Sequence, residues 1–466
     1  MKKSTSLLSF VILCFFLNSC LVGPASTKPE VVTNDSYRFQ EAAQNDTLNL
    51  RWWELFADEN LDTLIKIALV ENKDLLIATS RIEQAKANYH FKKADVYPNF
   101  SINGNGSVGN YNGFISTDIT NSTYIGAGLN WEIDFWGKFR HATRAAQFDM
   151  ISKESTKRAI QIDLISEVAK NYFLLLDYTL RLEISKKTLA LRDSSEKIIQ
   201  LRFDYGTTQM LDLNQAQIQT AIAKASVPKY RRLVAQTENN LALLLGRNPQ
   251  KFINISTIDQ QIIPEIPSGV PSLLLIRRPD LIEKENLLYA QNEQVGVAMA
   301  QRYPSIGLTG LFGGASQNLI FGNASGMVWN TGINLFSPLF NFGKNKRRVE
   351  IERHKTQQAV YEYEKTVLIA FKEVEDALIS TQTYDEEYVA KKEQVEAALN
   401  ARSLAELRYD KGVSNYLEVI EYQRSAFDSE LQLVEARQNH LNSFVQLYKA
   451  LGGGWISKEE EEAANK

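Results

Sequence analysis

Arg202-Phe203-Asp204-Tyr205-Gly206 and Arg408-Tyr409-Asp410-Lys411-Gly412 carry one pattern, Arg-aromatic-Asp-x-Gly, at an offset of 408 − 202 = 206 residues. The same offset relates Tyr97-Pro98 to Tyr303-Pro304, Gly137-Lys138 to Gly343-Lys344, Leu245-Gly246 to Leu451-Gly452, and Asp74-Leu75 to Asp280-Leu281. Repeated anchors at one spacing, with no insertion between them, mark a tandem duplication of one long unit. Between the copies lie Pro249, Pro264, Pro267, Pro271 and Pro279. Proline lacks a backbone donor and stops helices, so this stretch reads as a connector. No proline occurs from Phe100 to Val227 or after Pro338, which leaves room for very long helices.

Just upstream of the quoted pattern each copy has a helical run. Lys138 to Leu201 is 201 − 138 + 1 = 64 residues, about 96 Å at 1.5 Å per residue. Val168, Leu175, Leu182 and Leu189 recur with a heptad spacing, as do Ile184, Leu191 and Ile198. Val360, Tyr363, Val367, Phe371, Val374 and Leu378 have the spacing of a coiled-coil seam, and the other faces carry mixed charge. Gly206 and Gly412 suit the left-handed position that ends a helix and lets the chain reverse. A second helix then returns to Leu245 or Leu451, with a kink expected at Pro228 and none at its counterpart Val434.

Further upstream, a helix in each copy ends at the Tyr-Pro pair, because the residue before proline is pushed out of the helical region. Two strands follow. Ile125, Ala127, Leu129, Trp131 and Ile133 alternate with Gly126, Gly128, Asn130, Glu132 and Asp134. In the second copy Met327, Trp329, Ile333 and Leu335 alternate with Val328, Asn330, Gly332 and Asn334. Their expected partners are residues 100–108 and 305–313. Apolar-out and polar-in alternation over about ten residues, with aromatics near the ends, fits a transmembrane barrel strand. A soluble hairpin packed on a core alternates too, but two hairpins in equivalent places behind an export signal favour the membrane. Four strands cannot close a barrel, and lipid does not tolerate open sheet edges. Spanning barrels need at least about eight strands. The chain must therefore pool strands with copies of itself, and periodicity alone does not choose between two copies and three.

The export signal is at the N-terminus. Lys2 and Lys3 precede an apolar run from Leu7 to Leu17, which is too short to span a bilayer. It ends in Leu17-Asn18-Ser19-Cys20, similar to a bacterial lipobox with Cys20 as the acylated residue. The other cysteine, Cys14, falls inside the removed segment, so no disulfide is possible in the mature chain. Leu21 in place of an aspartate favours the outer over the inner membrane. The 466 residues carry a net charge of −3, with 52 basic against 55 acidic residues, so no general field attracts nucleic acid. The four histidines, His90, His141, His354 and His440, are scattered along helical stretches without ligand spacing and are expected to face solvent. There is no P-loop and no Gly-x-Ser-x-Gly. No enzyme, cofactor or metal site is indicated.

These residues together resemble the outer-membrane factor lipoproteins of efflux pumps, the TolC/OprM/NodT family. The resemblance covers nearly the whole mature chain: Val22-Gly23-Pro24, Trp52-Trp53 with Phe56, Asn72-x-Asp74-Leu75, Arg277-Arg278-Pro279-Asp280-Leu281 and Tyr303-Pro304-Ser305, with tip motifs at 202–213 and 408–419. It implies an α+β membrane protein: a homotrimer with a twelve-stranded β-barrel, four strands per chain, continuous with a long α-helical coiled-coil periplasmic barrel. The implied domains are a signal peptide (1–19), a lipid-anchored linker (20–57), a first repeat (58–246), a proline-rich equatorial connector (247–279), a second repeat (280–452) and a C-terminal tail (453–466). The implied function is a passive exit duct for small toxic compounds, anchored in outer-membrane lipid. A periplasmic adaptor and an inner-membrane pump, most often proton-driven, would be its partners. Two alternatives stay open: an exit duct for secreted polypeptides in a type I system, and a non-conducting lipoprotein that bridges the periplasm.

By the same resemblance Glu418 and Glu421 match the acidic ring of the periplasmic aperture, although acidic residues in a first helical turn also complement the helix dipole. Their counterparts are Asp212 and Gln215, so only the second copy offers the pair. Asp212 and Tyr409 match positions of the gate links. The arginine of TolC's link falls on Ser414, which leaves Arg408 or Arg202 as substitutes. Gly206 with Leu211, and Gly412 with Leu417, mark the flanks where an adaptor would dock, unless the leucines pack within their own hairpins. With only five methionines and no Met or His cluster, a copper or silver role gets no support.

Overall fold

A computed structural model describes residues 21–25, 29, 37–39, 51–109, 120–252, 257–262, 277–316 and 325–453. The signal peptide, Cys20, Pro264, Pro267, Pro271 and the acidic tail lie outside them. A short 3₁₀ turn (Trp52–Phe56) leads into α1 (Glu59–Glu71), α2 (Lys73–Ala94), β1 (Asn99–Gly109), β2 (Thr120–Ile133), α3 (Lys138–Asp204) and α4 (Met210–Leu244). The second copy follows as α5 (Pro279–Ala300), β3 (Ser305–Ser316), β4 (Ser325–Phe336), α6 (Lys344–Asp410) and α7 (Tyr416–Ala450). The starts and ends of α3 and α6, and of α4 and α7, each differ by the same 206 residues as the sequence anchors (344 − 138; 410 − 204; 416 − 210; 450 − 244). Pro228 lies inside α4, which continues on both sides of it.

The chain folds as two compact units, and each copy contributes to both. One comprises residues 1–30, 80–154 and 283–365 and holds the sheet. The strands pair antiparallel in the order β1-β2-β3-β4, so both hairpins join in one sheet. Within the hairpins Phe100 faces Leu129 and Ile306 faces Leu335; between them Leu129 faces Gly310. Asp134 fixes the start of α3, accepting from the Phe139 and Arg140 amides at 3.0 and 2.9 Å. A carboxylate there satisfies orphan donors and the helix dipole together.

The other unit comprises residues 31–79, 155–282 and 366–466. Its core packs Trp52, Trp53, Phe56, Leu61 and Ile65 against Val168, Tyr172, Leu175, Leu241, Phe444 and Tyr448. Trp52 stacks on Tyr448 with ring centres 5.6 Å apart. Asp58 is buried yet fully used: it caps α1 and accepts from Tyr172 Oη at 2.6 Å and Gln261 Nε2 at 2.7 Å. The seam at Tyr363, Val367, Val374 and Leu378 is buried as the spacing requires. Val168 and Leu175 are buried too, whereas Leu191 and Ile198, on the second heptad register, are exposed.

The copies are tied off alike. Each return helix ends with carbonyls that have no partner within the helix. Asn72 Nδ2 donates to the Leu244 carbonyl at 2.8 Å, and Arg278 Nη1 to the Ala450 carbonyl at 3.1 Å. Since 278 − 72 and 450 − 244 are both 206, these are one tether made by two residue types. Asn72 also caps α2 through the Leu75 amide. Arg278 instead recruits carboxylates, Asp280 at 2.6 Å and Glu373 at 2.7 Å. At Gly246 (φ +70°) an added Cβ would lie 2.3 Å from the Glu71 carbonyl oxygen, so only glycine allows this approach.

Removing the Arg278 tether strips hydrogen bonds from a buried helix end and leaves carboxylates unpaired. Arg278→Met is expected to cost about 2 kcal/mol. Thermal unfolding of the detergent-solubilised protein checks this: the Tm should fall clearly below that of an Arg277→Met control.

Candidate channel site

The sheet has one apolar and one polar face. Phe100, Ile102 and Val108 of β1 share a face with Ile125 and Ile133 of β2, Phe312 of β3, and Met327, Trp329, Ile333 and Leu335 of β4. All are exposed, Ile102 by 83% and Trp329 by 74%. The other face carries Ser101, Asn103, Asn105, Asn130, Glu132, Thr309, Asn330 and Asn334. Strands of 11, 14, 12 and 12 residues meet or exceed the roughly 9–11 that a tilted strand needs to cross a bilayer. Among the described residues no helix is long and apolar enough to cross a membrane. A large exposed apolar face backed by a polar one is what lipid outside and water inside require.

At the helix reversals the chain places the tip residues together. Gly206 (φ +68°) and Gly412 (φ +71°) are left-handed, and nothing crowds the space a side chain would take. Thr207 N bonds Arg202 O and Gly206 N bonds Phe203 O, with the same pair of bonds from Val413 and Gly412 to Arg408 and Tyr409. These are paired Schellman closures, which satisfy the helix-end carbonyls of α3 and α6 alike. The two tips pack on each other through Ile199, Leu213, Ala216, Tyr416, Val419 and Ile420, with Phe203 and Tyr409 at the margin. Leu211 and Leu417 do not join this core: they are 61% and 55% exposed at equivalent places.

Charges at the tips are paired locally. Arg408 Nε lies 3.3 Å from Glu418, and Arg424 lies 2.8 Å from Glu421. Asn415 caps α7 by accepting from the Glu418 amide at 3.1 Å. Asp212 accepts from Thr208 Oγ1 of its own hairpin at 2.6 Å. Tyr409 lies beside Tyr416, with ring centres 5.4 Å apart, and carries the Arg202 guanidinium over its face at 4.9 Å. That contact joins α3 to α6 and so links the two hairpins. Burial, with Tyr409 and Asp212 close by, pushes the Tyr416 phenol up to about 12. The Ser414 hydroxyl is buried with no hydrogen-bond partner among the described residues. Sequence reasoning missed Arg424 as the partner of Glu421, although an i,i+3 spacing announces it. It missed the Asn72 and Arg278 tether as well, which the 206-residue offset alone would have paired.

An oily sheet with free edges and helical hairpins that close on themselves define a membrane duct subunit. The outer membrane efflux protein family model matches twice, at residues 64–247 and 270–453, and the chain belongs to that family. Its two matches are themselves offset by 206 residues (270 − 64; 453 − 247). It is 32% identical to the toluene efflux pump outer membrane protein TtgC of Pseudomonas putida, over 97% of this chain and 96% of that protein. It is 31% identical to the cation efflux system protein CusC of Escherichia coli K12, over 94% of this chain and 97% of that one. The open-state outer membrane channel MtrE of Neisseria gonorrhoeae superposes with a TM-score of 0.83 at 28% identity, covering 93% of this chain and 98% of that chain. The protein is accordingly an efflux exit duct of the outer membrane, with its helical hairpins in the periplasm.

The histidines depart from expectation. His90 and His354 are exposed, but His141 and His440 are buried. His141 Nδ1 contacts Glu293, and its ring fills a slot beside Gly23 and Gly296, where an added Cβ would lie 2.8 and 2.6 Å from it. Among the described residues no cluster of His, Cys, Asp or Glu is placed to hold a metal. Burial pushes the His440 imidazole below the usual histidine range; Asp385 opposes the shift and Arg437 adds to it. A base whose folded pKa is depressed binds fewer protons folded than unfolded, so its contribution to stability falls as pH drops below about 6.5. The Tm advantage of wild type over His440→Gln is therefore expected to shrink between about pH 8 and pH 5, as read by thermal melts in matched buffers.

Proposed function

We propose that three copies assemble into one passive duct, pooling four strands each into a twelve-stranded barrel with the hairpin tips as its periplasmic aperture. Small toxic compounds are its cargo; the solvent and cation pumps that the relatives serve support efflux more than polypeptide secretion. With five methionines and no Met or His cluster in the sequence, a copper or silver role gets no support. The duct does no catalysis and takes its energy from an inner-membrane pump, a proton-driven one, through a periplasmic adaptor. The single observation that carries this reading is the exposed apolar face on a sheet too narrow to close alone.

Cys20 is the lipid attachment. Two residues later in the chain, the Val22 amide bonds the Trp136 carbonyl at 3.3 Å. Leu211 and Leu417, exposed beside Gly206 and Gly412, are the adaptor-docking knobs. Glu418 and Glu421 ring the aperture, with Arg408 and Arg424 moderating their field. Tyr409, held by Arg202, together with Asp212 and Arg408 forms the gate, and the Arg202 stack takes the place of the link that Ser414 cannot make.

Single-channel recording of the purified, lipidated protein tests the reading. Wild type should conduct weakly with cation preference; Glu418→Gln/Glu421→Gln should lose that preference, and Arg408→Gln should strengthen it. Absence of conductance at any voltage, with or without adaptor, would favour the periplasm-bridging alternative.

A further inference from the structure

The two copies part where the strands give way to the long helices. In the first copy the chain leaves β2 through Glu132 and Asp134 and enters α3 with Lys138 and Arg140. Each of these cations has its carboxylate: Lys138 lies 2.9 Å from Glu132, and Arg140 lies 3.1 Å from Asp134. In the second copy the equivalents of the two acids are Pro338 and Phe340 (132 + 206; 134 + 206), while both cations are kept as Lys344 and Lys346. His141 and Ala142 are replaced by Arg347 and Arg348. Residues 132–144 thus carry 3 − 2 = +1, whereas residues 338–350 carry 4 − 1 = +3. Lys344 and Lys346 are exposed and have no carboxylate partner among the described residues. Arg347 pairs with Glu350 at 2.6 Å, and Arg348 Nη1 donates to Gln301 Oε1 at 2.6 Å.

Where the acids are lost, apolar surface is gained. Leu339, Phe340 and Phe342 are 93%, 79% and 91% exposed, and the two rings lie with centres 4.6 Å apart. Phe342 keeps a left-handed φ of 51°, a costly choice for a bulky residue. A cleft of about 410 Å³ beside these residues, at the ends of β2, β3 and β4, is lined by Lys344 and Arg348 and by the stacked Trp136 and Tyr303. Its two carboxylates, Glu132 and Asp134, are the ones already held by Lys138 and Arg140. The patch also continues the lipid-facing sheet, because β4 ends at Phe336 and α6 begins at Lys344, on the periplasmic side.

We propose that residues 338–348 bind anionic phospholipid headgroups of the periplasmic leaflet. Lys344, Lys346 and Arg348 meet the phosphate, and Leu339, Phe340 and Phe342 sit where the acyl chains begin. Long cationic side chains reach headgroups while their stems and apolar neighbours stay at the acyl boundary. A zwitterionic headgroup would bring its own ammonium up to the same cations, so the surface prefers lipids with a net negative charge. The neutralised pairs of the first copy give no such preference. One copy of the duplicated unit thereby grips the leaflet by charge, and the other does not.

Native mass spectrometry of the full, lipidated protein tests the proposal, with phosphatidylglycerol and phosphatidylcholine of matched chains added in equal amounts. Wild type should retain phosphatidylglycerol in preference. Each basic residue near an anionic surface is worth about fivefold in affinity, so Lys344→Gln/Lys346→Gln should cut the preference at least about fivefold. Lys344→Arg/Lys346→Arg should keep it. Equal retention of the two lipids by wild type overturns the proposal, whether or not the variants fold. A preference that survives the glutamine pair overturns it as well. So does loss of the wild-type oligomeric mass by the glutamine pair in lipid-free detergent, because the cations would then serve a contact between copies.

Discussion

A strand in a bilayer has no water with which to satisfy the donors and acceptors along its edge. In this protein four strands form a sheet whose outer face is apolar, and β1 and β4 remain at its two edges. Nothing in the rest of the described fold removes that cost; only another sheet of the same kind does. The glycines of β1 and β3 belong to the same logic. Gly310 of β3 leaves room under Leu129 of the adjoining strand, so those two strands interlock without a polar anchor.

The helical part is governed by a different constraint, the closure of helix ends. α3 and α6, each 67 residues long, end in the same Schellman closure, and α4 and α7 end against the same tether. The copies differ at particular residues. Asn72 makes its tether alone, whereas Arg278 draws in Asp280 and Glu373 and so ties the second return helix to both α5 and α6. The acidic pair at 418 and 421 exists in one tip only, and the stacked Tyr409 belongs to that tip as well.

Much of this is legible in the sequence because the determinants are local or periodic. Proline and glycine placement bounds the helices, period-two alternation marks the strands, and the offset of 206 aligns the two copies. What escapes sequence reasoning is what depends on a third dimension. Burial of His141 and His440 comes from neighbours far away in the chain, Glu293 for the first and Asp385 for the second. Leu191 and Ile198 share a heptad with the half-buried Ile184 yet stay exposed, since a seven-residue spacing says that a stripe exists, not which neighbour covers it. At the tip, Arg202 is visible as a charge, but its stack on Tyr409 needs both hairpins in place.

With an open edge on each side of its sheet, this chain should have no stable membrane form alone, only one as part of a closed ring. Native mass spectrometry of the protein extracted from outer membranes in mild detergent addresses it directly. The account gives a single species of three copies, each heavier than the mature polypeptide by its acyl chains. A monomer, or an open-ended ladder of oligomers, would contradict it.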